Sequence, residues 1–130
     1  MEVIRFFETP DGGSRFEQHE LKFPTPFTDP YGDVYGLSKP LEVASAIFAE
    51  LPTGLNQSWH GAPTRQLVVV LTGRIEVETT DGQMRRWGPG NMFMADDTGG
   101  KGHQTRVLEG PAKLLFLRVP AGFNLAEMLG

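Results

Sequence analysis

Three histidines and no cysteine set the outer limits of the chemistry this 130-residue chain can perform. Thiolate metal sites, disulfides and cysteine nucleophiles are excluded, so metal binding or proton transfer rests on imidazole, carboxylate and amide groups. His19 lies in Glu17-Gln18-His19-Glu20, a solvated stretch, and reads as a surface residue. His60 and His103 each sit beside a segment with strand character. Asp96 and Asp97 are consecutive, so in an extended chain they point opposite ways and only one can enter a pocket. That one can act as a general base near His103, against the plainer reading of turn formation beside Thr98-Gly99-Gly100. The segment Gly99-Gly100-Lys101-Gly102-His103 lacks the spacing and following helix of a phosphate-binding loop.

The elements that must position these groups are short. Sixteen glycines and ten prolines are scattered along the chain, which favours strands and turns over long helices. Strands are expected at Val3 to Phe7, Ala46 to Glu50, Gln66 to Leu71, Arg74 to Glu78, Gly90 to Ala95, Thr105 to Leu108 and Lys113 to Val119. Alternation puts Gln66, Val68 and Val70 on one face, and His103, Thr105 and Val107 on one face of theirs. The segment Ile75 to Trp87 reads as a hairpin, with Ile75 and Val77 inward, Glu76 and Glu78 in water, and Asp81-Gly82 as a type I′ turn. Residues 9 to 40 are broken by Pro24, Pro26, Pro30 and Pro40 and read as an arm or loop crossing the surface. Phe123, Leu125, Met128 and Leu129 form one face of a short helix or turn.

A chain of this length makes one domain, and no linker, repeat or low-complexity tract divides it. Acidic residues outnumber basic ones 16 to 12, with no basic run longer than Arg85-Arg86, which argues against a nucleic-acid partner. No apolar run is long enough for a signal peptide or a membrane span, so no membrane partner is expected. With the absence of cysteine, this fits a cytoplasmic protein.

The order of strands and glycines resembles the cupin family. Its first motif is a Gly, five residues, His-x-His, three or four residues, Glu, six residues, Gly. Here Gly54 is followed after five residues by His60; the second histidine position falls on Ala62, the glutamate position on Gln66, and the closing glycine on Gly73. The second motif begins at a turn glycine, matched by Gly90 and the strand through Ala95. It ends on a histidine, matched by His103 if the connecting loop Asp96 to Gly102 is about two residues longer than usual, and Asp96-Asp97-Thr98 replaces the family's Pro-x-Gly. The resemblance covers residues 54 to about 107. It implies an all-β jelly-roll barrel, or double-stranded β-helix, over residues 1 to 130, with its core at about 46 to 119. An N-terminal strand and arm at 1 to 45 and a short C-terminal helix or turn complete the expected domain.

The same resemblance places His60, Gln66 and His103 in the barrel. Cupin metal sites generally hold Fe(II), Mn(II), Ni(II) or Zn(II) on three histidines and a carboxylate. This chain offers two histidines and an amide as its candidate metal set, so a divalent ion is weakly held or absent. Without a metal, His60 and His103 are the candidate catalytic pair or hydrogen-bonded pocket residues. Gln66 then satisfies backbone groups. Trp59, Val68 and Thr105 are expected to line the pocket, and Trp59 and Tyr31 to reach its mouth, against ordinary core packing of the aromatics. Arg65 and Arg106 are expected to face outward and Arg85-Arg86 to be solvated. Three roles fit: an enzyme acting on a small organic molecule, a non-catalytic ligand-binding or sensing module, and a structural protein whose barrel is filled. A homodimer is the expected assembly, by analogy with the family.

Overall fold

The computed structural model describes residues 1–129. Ten strands and one short helix follow in the order β1 Glu2–Glu8, β2 Ser14–Glu20, β3 Thr25–Thr28, β4 Val34–Leu37, β5 Ser45–Leu51, β6 Asn56–His60, β7 Gln66–Glu78, β8 Met84–Trp87, β9 Met92–Asp96, β10 His103–Arg118 and α1 Leu125–Leu129. Every strand expected from periodicity is present, but two pairs of them are fused. Gln66 to Leu71 and Arg74 to Glu78 are halves of β7, and Thr105 to Leu108 and Lys113 to Val119 fall largely within β10.

These two long strands build the barrel. The first half of β7 pairs with β9 and with the second half of β10, inside the ribbon β2-β1-β9-β7-β10-β5. The second half of β7 pairs with β8, and the first half of β10 pairs with β6. Each long strand therefore crosses from one sheet to the facing one, the jelly-roll device for closing a β-sandwich. The crossing on β7 falls at Gly73, whose φ of +81° is left-handed and whose missing side chain leaves room for the Glu109 carbonyl and Ala112.

Burial follows the pleat. Val68, Val70, Ile75, Val77, Phe93, Val107 and Leu114 turn into the barrel. Val3, Leu67, Met92 and Met94 turn to the outer face, where Phe123, Leu125 and Leu129 of the C-terminal segment cover them. The expected terminal helix is thus one turn with a buried apolar side, its Glu127 amide donating to the Asn124 side chain. No described helix is long and apolar enough to cross a membrane.

Four expectations are corrected. Residues 14 to 20 are not an arm but strand β2, paired along its length with β1. Its sequence has one large apolar residue, Phe16, because an edge strand buries little and shows weak alternation. β6 escaped notice for the same reason. The Asp81-Gly82 turn is not type I′: no residue other than glycine has positive φ, and Gly82 alone, at +82°, is left-handed. The Gly82 amide donates to the Thr79 carbonyl and the Thr79 amide to the Gln83 carbonyl. This is a three-residue loop with a left-handed third position. The same bonds recur at Thr9-Gly12-Gly13 and Asp29-Gly32-Asp33, so one turn solution serves three hairpins.

The fourth correction concerns Glu76, which is 5% exposed rather than solvated. Arg86 Nε donates to it at 2.7 Å and Arg106 at 3.0 Å, while Arg106 also reaches Glu78 at 2.8 Å. The Arg86 hydrogen bond, with Arg106 behind it, holds the Glu76 carboxyl below its usual range. A lowered carboxyl contributes stability above the unfolded-state range and loses it as pH falls through the folded one. Glu76→Gln is therefore expected to cost about 1–2 kcal/mol at pH 7, at the low end for charged hydrogen bonds because Arg86 is well exposed. The gap to wild type should narrow as pH falls below the ordinary glutamate range of about 4.3 and close only beneath the lowered folded value. Urea unfolding at pH 7 and pH 3 measures both; a gap that widens in acid contradicts this account.

Candidate active site

The barrel is not filled. A cavity of about 490 Å³ lies between the sheets, walled by Phe6, Val68, Ile75, Val77, Phe93 and Leu114 among others. Phe6 and Phe93 are backed by Phe16 and Trp87: Trp87 stacks on Phe93 at 4.2 Å, and Phe16 meets Phe6 edge-on at 6.0 Å. Into this apolar chamber project His60, Gln57, Gln66, His103, Thr105 and Arg118.

His60 and His103 meet. They are direct partners in the β6/β10 register, and their ring centroids are 4.5 Å apart at 54°. Between His103 and Thr105 the register shifts, so three residues of β6 span two of β10. This bulge brings Gln57 as well as His60 to the cavity side. Each ring is held by its Nδ1. That of His103 is 2.5 Å from Asp97 Oδ2, and that of His60 is 2.7 Å from the Ser58 carbonyl. Both Nε2 atoms are left for the cavity, and on His60 the carbonyl fixes Nδ1 as the protonated nitrogen.

Asp97 is fully buried, and its Oδ1 has no partner among the described residues. Asp96 points the other way, as the alternation requires, and is gripped by Arg5 at 2.8 Å and Arg65 at 2.6 Å. The loop that delivers Asp97 to His103 is pinned at several points. The Ala62 amide donates to the Asp97 carbonyl at 3.1 Å, the Lys101 amide to the Gly12 carbonyl at 2.8 Å, and the buried Ser14 hydroxyl to the Gly102 carbonyl at 2.7 Å. Gly102, with φ +80°, brings the backbone so near His60 that a Cβ would lie 2.0 Å from the His60 carbonyl oxygen.

Of the residues expected to line the pocket, Val68 and Thr105 do and Trp59 does not. Alternation from inward His60 turns Trp59 outward, where the Lys101 ammonium sits 4.6 Å from its ring. Tyr31 is 91% exposed in the β3-β4 turn and lies outside the pocket lining. Asp97, whose place beside Thr98-Gly99-Gly100 reads mainly as a turn position, is the partner of His103. Its signal was the parity of Asp96 and Asp97, which fixed that one points inward without saying which. Arg118 gave no signal, because the inward parity of its strand changes across Glu109 to Lys113, where the register shifts repeatedly.

The donors do not fit a tightly held divalent ion. Two imidazoles and the Gln66 amide face the cavity, Ala62 contributes no ligand atom, and Asp97 is engaged by His103 Nδ1. No three His, Cys, Asp or Glu side chains converge as a metal-binding group among the described residues.

No family model matches the chain, and no curated protein does. Solved structures give distant likenesses. A protein of Neisseria meningitidis aligns at 16% identity and TM-score 0.46, covering 75% of this chain and 86% of that one. The cupin domain of Schizosaccharomyces pombe Cnp3 aligns at 14% and 0.44, covering 79% and 69%. An RmlC-like cupin of Shewanella frigidimarina aligns at 13% and 0.45, covering 90% and 85%. The chain's own strand order makes it a jelly-roll barrel, with Gly54 at a turn, Gly73 at the crossing on β7, and His60 and His103 on the cavity wall.

Proposed function

We propose that the barrel binds a small organic molecule and exchanges a proton with it through His103, whose ring Asp97 orients, with His60 as the adjoining donor or acceptor. The observation that carries this reading is the buried Asp97 carboxylate 2.5 Å from His103 Nδ1, at the wall of a cavity of about 490 Å³. A chamber of this size, apolar with a few convergent polar groups, suits a small-molecule site. A carboxylate on one imidazole nitrogen sets the tautomer and orientation of the other, the arrangement general acid-base catalysis requires.

The test uses side-chain ¹⁵N resonances of the histidines during titration with a panel of small ketones, phenols and carboxylic acids. Compounds that enter are expected to shift His60 and His103 together and to compete with one another. Asp97→Asn is expected to alter the His103 tautomer signature and, for any compound turned over, to lower the rate about 10²–10⁴-fold. A panel that leaves both histidines unshifted would overturn the proposal. Binding without turnover by wild type leaves the non-catalytic, ligand-binding role.

Homodimerisation is supported by the β3-β4 hairpin, every strand residue of which is exposed, including Phe27, Val34 and Tyr35. A two-stranded hairpin is marginal by itself in water. Sedimentation equilibrium should return twice the 14.4 kDa chain mass; a single-chain mass rules the dimer out.

A further inference from the structure

We infer that the ligand of this cavity is a small monocarboxylic acid with an apolar body, its carboxylate held by Arg118 and Gln66 and its body lying toward the two histidines. The inference rests on the proposed small-molecule site and specifies its ligand class.

Arg118 is the one Lys, Arg, Asp or Glu side chain lining the cavity. It is exposed, which places it at the mouth, and no carboxylate pairs with it among the described residues. Arg5 and Arg65 are paired with Asp96, and Arg86 and Arg106 with Glu76, while Arg15, Arg74 and Arg85 lie outside the cavity lining. Directly opposite Arg118 in the β7/β10 register stands Gln66, which also lines the cavity. Side chains opposite each other on one sheet face lie close enough to act on one group.

A guanidinium fork with an amide donor beside it matches the two oxygens of a carboxylate. The single cation, with no second lysine or arginine on the lining, balances one negative charge. That favours a carboxylate over a phosphate dianion. The walls beyond are apolar, with Val68 two positions inward from Gln66 and Phe116 two positions from Arg118, so they receive a hydrocarbon or aromatic body. Gln66, which stands at a carboxylate position of the first cupin motif, acquires a role here that a glutamate would oppose. A negative charge there would pair with Arg118 and repel an anionic ligand.

The experiment titrates the intact chain with phenylpropionate, its neutral analogue phenylpropionamide, and phenyl phosphate, while the methyl resonances of Val68, Val77 and Leu114 report the cavity. Phenylpropionate is expected to bind at least about tenfold more tightly than the amide, as loss of a charge-assisted bidentate pair implies. Its affinity, unlike that of the amide, should fall with added salt. Arg118→Gln should erase the difference and Arg118→Lys restore part of it. Gln66→Glu should weaken the acid and leave the amide unaffected. Equal binding of acid and amide at the cavity methyls overturns the carboxylate assignment while leaving the small-molecule site standing, and so does tighter binding of phenyl phosphate. If none of the three compounds moves these methyls, both the assignment and the site fall. The salt dependence on wild-type protein keeps the test decisive should a variant fold poorly.

Discussion

Gly102→Ala is expected to be the most damaging small substitution in the chain. Gly102 has φ +80°, a conformation that costs an alanine about 1–2 kcal/mol before any contact is considered. The added Cβ would then stand 2.0 Å from the His60 carbonyl oxygen and 2.5 Å from the Gly61 amide nitrogen, both backbone atoms that cannot swing aside. Relief requires β6 to move away from the start of β10, which breaks the His60–His103 pairing and the bulge that turns Gln57 inward. The combined cost should reach at least about 4 kcal/mol, in the range reserved for strain at special backbone positions. For a domain of this size that is a fall in Tm of roughly 15 °C or more. Circular dichroism melting measures it, and a Tm within about 2 °C of wild type would show that the backbone approach at Gly102 is not a constraint. Gly82→Ala is the natural control, since its φ is equally left-handed but nothing lies within 4 Å of the added Cβ.

His103→Ala is expected to destabilise the fold by about 3–5 kcal/mol, more than the loss of one ring's packing would suggest. The ring packs 4.7 Å from that of Phe6, but its larger contribution is as the sole partner of a carboxylate with no exposure to solvent. Removing it strands Asp97 with both oxygens unsatisfied, because Oδ1 has no partner already. A second substitution, Asp97→Ala, removes the stranded charge, so the double variant should be more stable than His103→Ala alone. The two sites should couple by at least about 1.5 kcal/mol in a double-mutant cycle. Additive losses would show that the contact between them contributes nothing to folding. His60→Ala, whose Nδ1 rests on a carbonyl rather than a buried charge, should cost less.

What could be read from the sequence divides along a physical line. Strands such as β1, β7 and β9, which bury apolar side chains on both faces, announce themselves through runs of apolar residues, and the turn glycines fix where they end. Gly54, His60, Gly73 and His103 therefore fell where motif spacing set them. Edge strands carry no such pattern: β2 reads Ser-Arg-Phe-Glu-Gln-His-Glu and β6 reads Asn-Gln-Ser-Trp-His, because each is partnered on one side or half exposed. Trp59 was misplaced by one residue of parity, enough to send a side chain to the opposite face of a strand. Glu76 has the right parity for the outer face, yet no local pattern shows that Arg106 will cover it from a neighbouring strand. Arg118 was hidden in another way. Alternation counted from His103 fails beyond Val107, where β10 slips register on its way between sheets, so only the folded pairing with Gln66 reveals which way it points.

That passage of β7 and β10 between sheets has a mechanical consequence. Where two sheets are joined only through loops, the layers meet through the side chains of their inner faces. Here the same two chains are woven through both layers, hydrogen-bonded to each other on both sides of the crossing, so the layers are stitched by covalent backbone. Opening the chamber like a shell would mean peeling apart its longest ladder. A ligand of the proposed site would therefore enter end-on, past the exposed Arg118, and not by separation of the walls.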